Sequence, residues 1–296
     1  MSLAELLFGT QLIQMLQQLL APEFDRIFLA ISVLGSDQVL VALTAIVYWC
    51  FDKRYGRLVT YILFLGAYLN VFLKVLILWP RPPVELRIAD KSATSFGFPS
   101  GHAQDSATFW TALSGEFRSR ILAAAATIVV LAVGISRIHL GAHYPAQVVG
   151  GWLIGFAVAS LAILIVRHLK NQDGRIRIGP HLVFTFAALL PFAIGVVAFG
   201  TSSEFNPGGI GGYLLGFSLG AIVEDRYLGF STNIDSMRRI FRIFLGVAIT
   251  GSVVFVLSRP LPEAYVLTSF INAFIRGMMV VFIVPAVFRI IERRIS

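Results

Sequence analysis

The sequence predicts an all-α fold: a polytopic membrane bundle of about nine transmembrane spans with an N-terminal interfacial helix. Three observations carry that prediction. Apolar runs close to the ~20 residues needed to cross a bilayer recur along the whole chain. Hydrophobic residues make up 57% of the 296 and charged residues only 14%, against about 25% charged in a soluble domain. The basic residues gather in alternate loops between the apolar runs.

Residues 3–20 differ from the rest of the chain. Leu6, Leu7, Ile13, Leu16 and Leu20 recur at helical spacing, while Gln11, Gln14, Gln17 and Gln18 fill the other side. That is the pattern of a helix lying in the membrane interface. Residues 1–22 contain no Lys or Arg, so a cleavable signal peptide is not expected. Spans are predicted at 25–51, 58–79, 103–115, 121–137, 146–166, 181–199, 209–224, 240–257 and 266–290. Gly35 marks a candidate break in the first. The third is short for a lipid-facing span and reads as a helix surrounded by protein. No Gly/Ser linker or low-complexity run separates soluble domains. The chain is therefore divided into the interfacial segment 1–24, a core at 25–167 and a four-span extension at 168–296.

Charge sets the orientation. Lys53, Arg54 and Arg57 follow the first span, Arg118 and Arg120 the third, and Arg167, Lys170, Arg175 and Arg177 the fifth. Arg226, Arg238, Arg239 and Arg242 follow the seventh, and Arg289, Arg293 and Arg294 end the chain. The positive-inside rule makes that side, and the C-terminus, cytoplasmic. The opposite loops then face the periplasm, the cell exterior or an organelle lumen. A net charge of +8 distributed this way belongs to membrane topology and gives no reason to expect nucleic acid. Cys50 is the sole cysteine, which excludes an internal disulfide and a thiolate metal site.

Three short segments share the non-cytoplasmic side. Lys74 stands near the end of the second span, and Arg81-Pro82 follows seven residues on. That spacing is about two helical turns, so both cations point the same way if the helix persists to the prolines at 80, 82 and 83. Pro99-Ser100-Gly101-His102 opens the third span. Ser100 can cap the helix, Gly101 lets a ligand approach the backbone, and free N–H groups at a helix start attract an anion. Ser136-Arg137 ends the fourth span, and His143 precedes Tyr144-Pro145 at the start of the fifth. Each segment alone has an ordinary reading: a snorkelling Lys, a capping Ser, a solvated Arg–His loop. Together they supply three cations, two histidines and a helix start, an inventory suited to phosphoryl transfer without a metal.

In this combination the segments resemble the signature of the type 2 phosphatidic acid phosphatase superfamily, which includes lipid phosphate phosphatases, glucose-6-phosphatases and vanadium haloperoxidases. The resemblance implies that His143 is the nucleophile, forming a phosphohistidine, and that His102 is the acid protonating the leaving oxygen. It implies that Lys74, Arg81, Arg137, Ser100 and the Gly101 amide hold the phosphoryl oxygens, and that no metal or other cofactor is needed. Most of the family carries an Asp four residues after the nucleophile. Here that position is Gln147, which can accept the ring N–H but supplies no charge. The run His143-Tyr-Pro-Ala-Gln147-Val-Val is similar to that of the glucose-6-phosphatase branch, as is the nine-span layout.

The expected activity is hydrolysis of a lipid phosphate or polyprenyl diphosphate drawn from the bilayer. Two alternatives stay open: a soluble sugar phosphate as substrate, and a non-catalytic binder or transporter of lipid phosphates. The remaining polar residues carry less. His139 could line the pocket, Asp105 could orient His102, and the loop 84–98 with Arg87, Asp90 and Lys91 could gate the site. His168 and His181 fall on the cytoplasmic side. Arg276 lies mid-span, with Glu224 or Glu263 as candidate partners.

Overall fold

A computed structural model describes residues 2–20, 22–169, 208–257 and 266–295. Among these every regular element is helical. The expected span at 181–199, His181 and Glu263 lie outside the described residues. The first helices are α1 (Leu3–Phe8), α2 (Gln11–Leu19), α3 (Asp25–Val33), α4 (Asp37–Cys50) and α5 (Lys53–Ile77). They are followed by α6 (Gly101–Phe117), α7 (Arg120–His139), α8 (Pro145–Leu169) and α9 (Gly208–Val223). The last three are α10 (Ser236–Leu257), α11 (Val266–Met278) and α12 (Val284–Ile295).

Among the described residues, five helical stretches are long and apolar enough to cross a membrane: Lys53–Ile77, Arg120–His139, Pro145–His168, Ser236–Leu257 and Val266–Arg293. The pair Pro22–Val33 and Asp37–Cys50, bent by 46°, makes a sixth if it is counted as one span. The break spans Leu34 to Ser36, around the Gly35 that the sequence singles out, where a Cβ would press on Val133 and the His102 backbone. Residues 3–20, expected as one helix, form two. Ser2 and Glu5 make a capping box at the first, and Gly9, extended, ends it.

The described residues cluster into two compact units. The first comprises residues 1–41 and 65–167. Its helix α6 is buried continuously from Ala103 to Phe109, polar side chains included, as a protein-surrounded helix requires. Glycines let its neighbours approach. A Cβ at Gly155 would strike the Gln104 carbonyl, and one at Gly134 the Trp152 ring, so α8 lies close against both α6 and α7. Outward faces of α7 and α8 carry Ile121, Ile128, Leu153, Phe156 and Leu161, apolar and exposed as lipid contact demands. A small cluster of Ile13, Ala103, Ile138 and Val148, with Leu16 and Tyr144 against it, ties α2 to the start of α6 and α8.

The second unit comprises residues 42–64 and 168–296. There Glu224, fully buried at the start of a π-helical turn (Glu224–Leu228), takes Lys53 at 3.0 Å and Arg57 at 2.8 Å. Helices α9 and α11 pack through Gly212, Gly216 and Gly277, whose missing side chains leave room for backbone contact. Arg242 pairs with Glu292 at 2.7 Å.

Candidate active site

Helix α5 ends at Ile77, earlier than the Lys74–Arg81 spacing suggests. Leu78 turns left-handed (φ 56°), and Trp79 precedes a proline, which disfavours helical backbone. The two cations therefore do not share a helical face, yet both reach the same loop. Lys74 Nζ donates to the Phe96 carbonyl at 2.8 Å. Arg81 Nε donates to the Ser95 carbonyl at 2.8 Å, and its Nη2 to Ser95 Oγ at 3.1 Å.

Ser100 occupies the N-cap position of α6, but its hydroxyl does not cap the helix. Its N–H donates to the Gln147 carbonyl at 3.0 Å, while Oγ is buried with no partner. Gly101 is not demanded by packing: a Cβ there would meet Asn70 Oδ1 at an ordinary 3.5 Å. Asn70 itself is held between the Pro99 carbonyl and Gln104. The His102 ring makes no hydrogen bond among the described residues, and stands in the field of Arg137, Asp90, Arg81 and Lys74. Asp105 makes no hydrogen bond to it, and Oδ1 of Asp105 is buried and unpartnered.

Arg137 lies in the last turn of α7, almost wholly buried. Nη1 donates to Ser32 Oγ at 2.7 Å, Nη2 donates to the Asp90 carboxylate, and Nε has no partner. Beyond it the chain turns at Gly141, whose positive φ of 65° and close approach to the Leu86 carbonyl both require glycine. That turn delivers His143. Its Nδ1 lies 2.9 Å from the Gly97 carbonyl and 3.2 Å from Gln147 Oε1. Both partners are acceptors, because Gln147 Nε2 donates to the Pro80 carbonyl at 2.8 Å and Oε1 accepts the Tyr144 N–H at 3.2 Å. Nδ1 must therefore carry the proton. Nε2 is left with its lone pair, facing Arg81 Nη1 at 3.1 Å. Burial, and then Arg81, Arg137 and Lys74, push the His143 pKa well below its ordinary value of 6.5, so the ring is neutral at pH 7.

Arg81, His143, Gln147 and the Ser100 backbone thus form one connected set, with Arg137 joined to it through Asp90. His139 does not line this site. It is fully buried, bonded to Asp25 at 2.8 Å and stacked on Phe28. Glu224, a candidate partner for Arg276, is instead engaged by Lys53, Arg57 and Tyr48. The Gly97 carbonyl, the nearest partner of His143, carries no side-chain signal in the sequence. Ser32, near the break between α3 and α4, carries none either.

Comparison with known proteins gives this chain a family. Residues 55–173 match the PAP2 superfamily, and residues 208–293 match the transmembrane extension of PAP2 superfamily phosphatases. The chain is 30% identical over 166 residues to glucose-6-phosphatase 3 of Mus musculus, covering 47% of this chain and 48% of that protein. It thus spans about half the length of that relative. It is 28% identical over 170 residues to phosphatidylglycerophosphatase B of Bacillus subtilis (strain 168), covering 53% of this chain and 78% of that one. A crystal structure of a transmembrane PAP2-type phosphatidylglycerolphosphate phosphatase from Bacillus subtilis aligns with a TM-score of 0.49 and 21% identity, over 55% of this chain and 86% of that chain. With both a superfamily domain and its transmembrane extension in order along one polypeptide, this chain belongs to the PAP2 superfamily.

Proposed function

We propose that the protein is an integral membrane phosphatase that hydrolyses a lipid phosphate or polyprenyl diphosphate through a phosphohistidine on His143. The observation that carries this reading is the state of His143: neutral, its Nδ1–H held by two acceptors, its Nε2 lone pair turned to a cation. When a phosphoryl group enters, the Arg81 N–H turns from Nε2 to donate to a phosphoryl oxygen, which frees Nε2 for attack. The Nε2–P bond forms as the bond to the leaving oxygen breaks, and His102, which takes up a proton once the phosphoryl charge offsets Arg137, Arg81 and Lys74 around it, gives that oxygen its proton. Water then attacks phosphorus, His143 departs, and His102 takes up the water's proton. Lys74, Arg81 and Arg137 stabilise the charge that builds on the transferring group. Two buried atoms without partners, Ser100 Oγ and Arg137 Nε, suit phosphoryl oxygens, as does the bare backbone at Gly101.

The lipid preference rests on the setting. A site at the ends of apolar helices takes a headgroup while its tail stays in the bilayer, and one relative is named as a phosphatidylglycerophosphatase. The nine-span reading, with the basic loops cytoplasmic, favours a site on the non-cytoplasmic side. A sugar phosphate is the second reading, favoured by Gln147 and by the match to glucose-6-phosphatase 3. Phosphate release by pure protein from a panel of short-chain lipid phosphates, a polyprenyl diphosphate and glucose 6-phosphate distinguishes these. Lipid substrates are expected to lead. Release only from the sugar phosphate would reverse the preference, and binding without release would make the protein a carrier. Because the cations already neutralise the phosphoryl group, turnover is expected to persist in excess EDTA and to be inhibited by vanadate. Loss in EDTA with recovery on Mg²⁺ would contradict that expectation.

Gln147→Asp tests the orienting contact. A carboxylate beside Nδ1 favours the imidazolium, so the His143 pKa should rise. Burial and the neighbouring cations make His143 hard to protonate in the wild type, so the acidic limb of the pH–rate profile should move to higher pH in the variant. The variant also loses the bond to the Pro80 carbonyl, at a cost of about 0.5–1.5 kcal/mol of stability. An active variant with an unmoved acidic limb would show that residue 147 does not govern the nucleophile.

A further inference from the structure

The three cations assigned to phosphate are all engaged by one loop. Lys74 is on the Phe96 carbonyl, Arg81 on Ser95, and Arg137 on the Asp90 carboxylate. Asp90 Oδ2 also lies 3.9 Å from Arg81 Nη1. A single anionic oxygen therefore touches one guanidinium and nears a second, which is what a phosphoryl oxygen would do in the same place. Asp90 sits in a left-handed turn (φ 57°) closed by the Ala93 N–H on its carbonyl at 3.0 Å. The loop is pinned on either side, by Ile88 N–H to the Leu140 carbonyl at 2.9 Å and Gly97 N–H to the Trp79 carbonyl at 2.7 Å. Between those pins no backbone bond beyond the turn itself holds residues 90–96 to the helices, among the described residues. The Asp90 side chain is 36% exposed while Arg81 and Arg137 are 9% and 3% exposed, so the carboxylate is the outermost member of the group. Burial would raise its pKa, but Arg137 and Arg81 outweigh that and hold it below the usual carboxylate range. It is an anion at neutral pH.

We propose that Asp90 is an internal competitor for the phosphate site: its carboxylate occupies Arg137 and Arg81 in the empty protein, yields to the substrate's phosphoryl group, and on returning displaces the phosphate product. This rests on the phosphatase reading above. Two anions cannot share those guanidiniums without like-charge repulsion, so every ligand of the site must first open the same contact. Its apparent affinity is lowered by the fraction of protein already open, a factor common to all such ligands. A carboxylate serving only to hold the loop predicts the opposite sign, since loosening the loop would weaken binding.

The test compares wild type with Asp90→Asn and Asp90→Ala. Inorganic phosphate and vanadate binding are measured by calorimetry, and KM for a short-chain lipid phosphate by phosphate release. All three constants are expected to fall by one common factor of about tenfold or more, with phosphate becoming the stronger product inhibitor. Phosphate and vanadate constants that stay or rise would overturn the proposal, whether or not the protein turns over. Wild type that binds phosphate but releases none from any substrate would instead sink the phosphatase reading. Should both variants fail to fold, Lys91→Cys, at an exposed loop position, gives a second measurement in an otherwise native chain. Saturating vanadate should speed modification of the introduced thiol as the loop is displaced, against a background set by buried Cys50. An unchanged rate would contradict the displacement.

Discussion

His143→Ala is expected to reduce phosphate release by about 10⁴-fold or more, as loss of a nucleophile does. The argument is local. Among the described histidines, His143 alone has its two nitrogens assigned opposite roles by their neighbours, with acceptors on Nδ1 and a guanidinium on Nε2. Arg81 and Arg137 would remain, so phosphate and vanadate should still bind to the variant. That pattern separates loss of chemistry from loss of the site. The substitution removes a buried side chain and leaves the Gly97 carbonyl without its donor, so thermal unfolding is measured alongside. A variant with near-wild-type turnover would show that the nucleophile lies elsewhere.

His102→Ala is expected to cost about 10²–10⁴-fold, and to cost most where the leaving group is poorest. An alkoxide leaving from a lipid phosphate needs its proton in the transition state, whereas a nitrophenolate leaves without one. The rate ratio of wild type to variant should therefore shrink as the leaving-group pKa falls. A loss equal for both leaving groups would mean that His102 only shapes the pocket. The His102 ring, half-buried at the first turn of α6, makes no protein hydrogen bond among the described residues. Asp105, which sequence spacing offers as its orienting partner, does not bond to it.

Apolar run length and proline punctuation make the helical layout of the first unit legible, including the bend at Gly35 and the buried character of α6. The proposed site is legible wherever its chemistry resides in side chains: Lys74, Arg81, His102, Arg137 and His143 stand out by type and spacing. It is illegible wherever chemistry resides in the backbone. The carbonyls of Gly97, Ser95 and Phe96 take His143, Arg81 and Lys74, and no residue type encodes a carbonyl. Long-range partners are illegible for a different reason. Ser32 reaches Arg137 across 105 positions, and only the bent packing of α3 against α7 brings them together. The early end of α5 escapes a reading based on the prolines alone, because the residue before Pro80 already departs from helix. Ser100 does stand at a helix start, as its position predicts, but its hydroxyl is unspent rather than capping.

Trapping the covalent intermediate tests the central claim most directly. The His102→Ala protein is mixed with a ³²P-labelled substrate bearing a good leaving group and quenched within one turnover. Attack needs no acid with such a substrate, while hydrolysis of the intermediate lacks its base, so labelled protein should accumulate. The account predicts label that is acid-labile and base-stable, mapped by mass spectrometry to His143, and absent from the His102→Ala, His143→Ala double variant. Label on another residue, or fast phosphate release with no labelled protein at any time, would contradict it.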